Sequence, residues 1–150
     1  MLPVNCGNSM INKIFVAYFS VSLTVSLLGA RAAEKNKVDP SKIPPASDKT
    51  GVTYATDIKP IFDSACVKCH GAEKPKGRLR LDTLAGALKG GEGGKVVLPG
   101  NSVGSVLLHN VAQAGPSDAY MPPPRNKANI PPLTKEQISL IRAWVDQGAK

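Results

Sequence analysis

The sequence predicts an all-α domain of short helices. Stretches with apolar residues at helical spacing are separated by capping residues, glycines and prolines, and the one run suited to a strand, Val96-Val97-Leu98, has no obvious partner. The first helix is expected from Thr56 or Asp57 as N-cap to the cysteines at 66 and 69. Pro60 is tolerated in its first turn, and Ile58, Ile61, Phe62, Ala65 and Cys69 recur at helical spacing. A second, shorter helix spans 83–88 behind Asp82 and stops at Gly90-Gly91. A third covers 102–112, with Val103, Val106, Leu107 and Val111 on one face. The fourth has the clearest signals. Thr134-Lys135-Glu136-Gln137 is a capping-box pattern, Ile138, Ile141, Trp144 and Val145 form an apolar stripe, and Gly148 sits where a C-cap belongs.

Ahead of these helices the chain divides into two further segments. Lys13 precedes an uncharged run over 14–29, and Ala30-Arg31-Ala32-Ala33 then offers an A-x-A-like cleavage site, so residues 1–33 read as a signal peptide. Met10 is a plausible alternative start. A membrane anchor needs about 20 predominantly apolar residues, and this run is shorter and diluted by Ser20, Ser22, Thr24 and Ser26. A membrane is expected as a partner only if the segment is retained. Residues 34–52 are polar and Pro-containing and read as a flexible linker, leaving 53–150 as the folded domain. The stretch 115–133 carries no helix signal and is stiffened by proline, which favours a functional loop.

Cleavage would remove Cys6 and leave Cys66 and Cys69, too few for a disulfide scaffold, so cysteine chemistry is confined to one place. The net charge of +8 falls by two without Lys13 and Arg31 and stays basic. Basicity suits nucleic acid, an anionic membrane or an acidic protein. An exported chain with few aromatics and no stacking platform does not suit nucleic acid.

Cys66-Val67-Lys68-Cys69-His70 has the spacing of a c-type haem attachment site. Two thiols three apart on a helical turn share a face and can reach both vinyl groups of one porphyrin, while the adjacent imidazole can ligate iron. A thioredoxin-like dithiol would want a strand before the motif, and none is apparent. A Cys2His2 zinc site drawn from Cys66, Cys69, His70 and His109 is the sharper rival, but adjacent Cys69 and His70 suit structural zinc poorly. For the opposite side of the iron the candidates are Met121, on an extended Pro-rich loop, and His109, on the third helix; an open site is the remaining option. Arg78 and Arg80 are candidate contacts to haem propionates, since a planar guanidinium pairs well with carboxylate. With Lys68, Lys74 and Lys76 they form a basic cluster that either frames an exposed haem edge for an acidic redox partner or is simply a solvated face. Gly90-Gly91-Glu92-Gly93-Gly94 lacks the Lys-Ser/Thr and strand–helix frame of a phosphate loop and reads as a turn.

These stretches resemble a class I mono-haem cytochrome c and, more closely, the planctomycete-type cytochrome c domain. The matching segments are Asp57-Ile58-Lys59-Pro60-Ile61-Phe62, 66–71, Leu79-Arg80-Leu81-Asp82, Leu88-Lys89-Gly90-Gly91, Val97-Leu98-Pro99-Gly100, Met121-Pro122-Pro123 and Ile141-Arg142-Ala143-Trp144-Val145. The resemblance implies an all-α, haem-wrapping fold with one covalent haem c and with His70 and Met121 as axial ligands. The expected function is single-electron transfer by an exported, periplasmic carrier, without a small-molecule substrate. The rival expectations are a haem enzyme or sensor with an open sixth site, acting on peroxide or a small gas, and a haem-bearing subunit of a larger oxidoreductase.

Overall fold

The computed structural model describes residues 37–150; the signal-peptide reading and Cys6 lie outside the described residues. The second of the chain's two compact units, beginning at Val38, carries everything that follows. It contains five α-helices: α1 (Lys59–Ala65), α2 (Val67–His70), α3 (Leu84–Lys89), α4 (Val106–Val111) and α5 (Lys135–Asp146). There is no strand among the described residues, only an isolated bridge between Gly91 and Gly94. Val96-Val97-Leu98 is therefore not a strand. Val97 is fully buried, and its neighbours bond to the start of α4 instead, Leu107 N–H donating to Val96 O at 3.0 Å and Leu98 N–H to Ser105 Oγ at 2.9 Å. No helix among the described residues is long and apolar enough to cross a membrane.

The first helix starts earlier than its sequence suggests. Thr53 is the cap, and a π-helical turn over Tyr54–Ile58 precedes α1, closed by Lys59 N–H donating to Tyr54 O. Pro60 lacks the N–H that would continue a regular ladder, so it is accommodated at the start of α1. Asp57 is not the cap but its reciprocal partner, accepting from Thr53 N–H at 2.9 Å and from Thr56 Oγ1 at 2.8 Å, with Lys49 Nζ paired to its other oxygen. The Lys49 hydrogen bond, then those of Thr53 and Thr56, lower the Asp57 carboxyl to about 2. A depressed carboxylate contributes stability that is complete above its unfolded pKa near 4 and lost as pH falls through its folded value. In acid titrations of stability, wild type should exceed Asp57→Asn at pH 5, and the difference should close between about pH 4 and pH 2. A pH-independent difference would contradict this assignment.

The second helix lies one residue from expectation, with Thr83 Oγ1 accepting from Gly86 N–H at 3.1 Å and Gly90 ending it at φ 82°. The third is shorter than 102–112 because it begins only after Ser105. Its apolar face also differs: Val103 and Val106 are 63% and 46% exposed, while Leu107, Leu108 and Val111 are buried. In α5 the capping box is formed, with Thr134 Oγ1 accepting from Gln137 N–H and Gln137 Oε1 from Thr134 N–H. At its other end Gly148 N–H donates to Val145 O and Ala149 N–H to Trp144 O, a Schellman closure that places Gly148 at φ 96°.

Phe62 of α1 and Trp144 of α5 meet edge to face at 6.2 Å between ring centroids. Tyr54 completes the trio, 6.1 Å from Phe62 and 6.0 Å from Trp144. The Tyr54 hydroxyl donates to Leu81 O at 2.8 Å, and burial pushes its pKa up to about 12.

The polar segment expected to be a flexible linker is, over residues 38–51, a strap laid on the domain. Asp39 N–H donates to Ala114 O at 2.7 Å, Ser47 N–H to Ser139 O at 3.0 Å, and Arg142 and Gln147 donate to Pro44 O and Lys49 O at 2.8 Å each. Val38 and Ile43 pack against the core. Composition undercounted these main-chain bonds, which need a complementary surface rather than apolar side chains.

Candidate haem site

Cys66 closes α1, and its carbonyl accepts from Cys69 N–H at 3.0 Å and His70 N–H at 2.9 Å. One tight turn thus carries both thiols and the imidazole. Gly71 follows because a Cβ there would lie 2.7 Å from Val67 O. Leu81 N–H donates back to His70 O at 2.8 Å, so the extended segment 79–81 runs beside the turn.

That segment also orients the imidazole. His70 Nδ1 lies 3.2 Å from Leu79 O. With Nδ1–H donating to that carbonyl, Nε2 is the nitrogen with a lone pair to give. Burial, the largest influence, lowers the His70 pKa, which favours the neutral ring that a metal needs. Burial also pushes the Cys66 thiol up to about 12, reinforced by Cys69. Cys66 is therefore a protonated thiol in an apolar wall until it is modified; thioether formation removes the titration.

Cys66, Cys69 and His70 line a narrow slot of about 30 Å³, together with Ala65. Met121, Pro122, Pro123, Asn126 and Ile130 complete its lining. The loop that carries Met121 is fixed by its own polar bonds. Met121 N–H donates to Asn110 O at 3.0 Å, and Asn126 binds across the loop to Pro123 O at 3.0 Å, Ile130 O at 2.8 Å and Ile130 N–H at 2.9 Å. Asn126 was not singled out from the sequence. Its only signal was an Asn among prolines, a residue that folds loops through side-chain-to-backbone bonds.

His109 does not reach the slot. Its Nε2 is 2.6 Å from Val103 O, within the turn that precedes α4. In that placement His109 stands apart from Cys66, Cys69 and His70, and no group of three or more His, Cys, Asp or Glu able to hold a metal occurs among the described residues.

Arg78 and Arg80 do not line the slot either. Arg80 forms a fork with Asp82, Nε to Oδ1 at 2.9 Å and Nη2 to Oδ2 at 2.6 Å, which lowers the Asp82 carboxyl and raises the guanidinium. At Nε and Nη2 its guanidinium is engaged locally, with Asp82. The cations near the slot are others. At Cys69, Pro123 and Asn126 the slot meets a wider cleft of about 440 Å³ lined by Lys68, Lys76, Arg125 and Lys127. Lys74 does not line it. Lys68 and Lys76 belong to the basic cluster seen in the sequence, whereas Arg125 and Lys127 come from the Met loop and gained significance only through folding.

Two thiols, an oriented imidazole and a thioether around an apolar slot form a donor set that fits a c-type haem: soft sulfur for attachment, nitrogen and sulfur for iron, and little else polar. Residues 66–125 match the family model described as planctomycete cytochrome C, a shorter stretch than the 54–149 on which the resemblance rests. That match, over less than half of the chain, supports a cytochrome c-type domain, and covalent haem c is the cofactor this family implies. No curated protein and no solved structure matches the chain.

Proposed function

We propose that this chain is an exported, mono-haem c-type cytochrome of the class I-like, haem-wrapping kind, passing single electrons between redox partners. The observation that carries the reading is the presence of Cys66, Cys69, His70 and Met121 on the walls of one apolar slot. Haem c seated between these residues, which would have to part to admit a porphyrin, would supply a Fe(III)/Fe(II) couple. Cys66 and Cys69 would form the thioethers, and His70 and Met121 would ligate iron. The Leu79 carbonyl holds the imidazole in the tautomer that leaves Nε2 for the metal. The prolines beside Met121 reduce the entropy its loop loses on ligation.

An acidic redox protein is the proposed partner. Lys68, Lys76, Arg125 and Lys127 surround the cleft beside Cys69, all exposed and none ion-paired among the described residues. Such a field raises encounter rates and is screened by salt. Expressed in a host with haem-attachment machinery, the protein should keep haem staining through denaturing electrophoresis and titrate as one one-electron couple. Its reaction with an acidic redox protein should slow steeply as salt rises. Joint charge reversal at Lys68 and Arg125 should cut the on-rate on the order of tenfold, with the potential nearly unchanged. A colourless, zinc-containing product would overturn the haem reading, and a rate indifferent to ionic strength would overturn the partner.

A further inference from the structure

We infer that the strap over residues 38–51 positions the iron-binding loop, with Lys42 as the contact that locks Tyr120 beside Met121. The inference rests on the reading of Met121 as an axial ligand. The strap reaches the loop at both ends of its first half. Asp39 N–H donates to Ala114 O at 2.7 Å, and Lys42 Nζ donates to Gln113 O at 3.3 Å. The same ammonium lies 5.9 Å from the centroid of the Tyr120 ring. One lysine therefore ties residue 113 to residue 120, across the turn Ser117–Ala119 that leads into Met121. Asp39 caps the short helical turn Pro40–Lys42, its carboxylate accepting from Ser41 N–H at 3.0 Å, so Lys42 projects from a fixed base.

The strap is anchored independently of the loop. Pro44 O accepts from Arg142 and Lys49 O from Gln147, both on or beside α5, and Lys49 pairs with Asp57 ahead of α1. Within the loop's first half, Met121 has a single main-chain bond to the helical frame, from its N–H to Asn110 O, alongside the local bonds Ala114 N–H to His109 O and Ala119 N–H to Pro116 O. Segments with few main-chain bonds open locally at lower free energy than the core. The strap supplies what this half of the loop lacks, and it does so from a part of the chain remote in sequence.

An external ligand such as cyanide binds a six-coordinate ferric haem only when the thioether leaves, so its rate reports loop opening. Deleting residues 38–47 from the full chain should raise the cyanide binding rate about 5–30-fold, the factor that corresponds to one or two kcal/mol. The sulfur-to-iron charge-transfer band should weaken. Lys42→Ala, a surface change that spares the core, should raise the rate severalfold. Lys59→Ala, which breaks an exposed pair with Asp63 that is no part of the strap, should leave it within twofold. Rates unchanged in Lys42→Ala and in a folded deletion variant would overturn the inference while leaving Met121 ligation standing. Equal acceleration in Lys59→Ala and Lys42→Ala would also overturn it, by showing a loss of overall stability rather than of loop positioning. A wild-type protein without the charge-transfer band would overturn the ligation reading first, and the inference with it.

Discussion

Met121→Ala is expected to abolish the sulfur-to-iron charge-transfer band, lower the reduction potential and open the iron to carbon monoxide and cyanide. A thioether stabilises Fe(II) relative to Fe(III), so its loss moves the couple downward within the roughly 0.8 V range that axial ligation commands. His109→Ala should leave all three properties nearly unchanged, because His109 Nε2 is held at 2.6 Å from Val103 O and does not line the slot. The pair of variants separates three outcomes by visible spectroscopy and potentiometry. Opening by Met121→Ala alone supports the carrier. Opening by His109→Ala alone means a bis-His haem and a different loop arrangement. A wild-type ferrous protein that already binds carbon monoxide readily, or turns over peroxide at enzymatic rates, favours catalysis over electron transfer.

Half of this site could be read directly from the sequence, and the reason is local. Cys66, Cys69 and His70 occupy one turn, so their relative placement depends only on helical geometry, which the spacing specifies. The capping box at Thr134 and the glycine closure at Gly148 were legible for the same reason. Met121 could be nominated by elimination, but its part of the slot depends on Asn126, whose bonds to Pro123 and Ile130 form only once the loop has turned. The Arg80–Asp82 fork was not foreseen, because a carboxylate two residues on was not weighed as a partner for the guanidinium. The strap was missed because composition registers apolar side chains, whereas residues 38–51 are held largely by main-chain groups such as Asp39 N–H and Pro44 O. The exposed Val103 and Val106 show the converse, since periodicity alone does not say where a helix begins. The strap and the gathering of Arg125 and Lys127 beside Lys68 and Lys76 share a cause, since both depend on segments distant in sequence, where spacing carries no information.

Trp144→Ala should produce the largest loss of stability of any single substitution in the domain. Trp144 is 0% exposed, and removing a buried Trp costs about 3–5 kcal/mol through lost transfer energy and the cavity left behind. Its surroundings place it toward the upper end. The ring packs edge to face on Phe62 and tilted on Tyr54, contacts worth about 0.5–1.5 kcal/mol each beyond the buried area. Its indole N–H donates to the main-chain oxygen of Lys150 at 3.0 Å, a bond the variant cannot replace. Lys150 O also accepts from Tyr54 N–H, so the damage spreads to the π-helical turn that starts α1. From there it reaches the attachment site, because Phe62 O accepts from Cys66 N–H at 2.8 Å. For a domain of this size each kcal/mol lowers Tm by about 4–8 °C. Thermal unfolding followed by circular dichroism should therefore show a fall of at least 12 °C, that is roughly 4 °C for each of three kcal/mol. Trp144→Phe restores most of the ring volume but not the donor and should lose on the order of 1 kcal/mol, the usual net value of one hydrogen bond. If the alanine variant instead loses less than the phenylalanine variant, the aromatic trio does not hold α1 against α5, and the packing that supports the Cys66 turn must lie elsewhere.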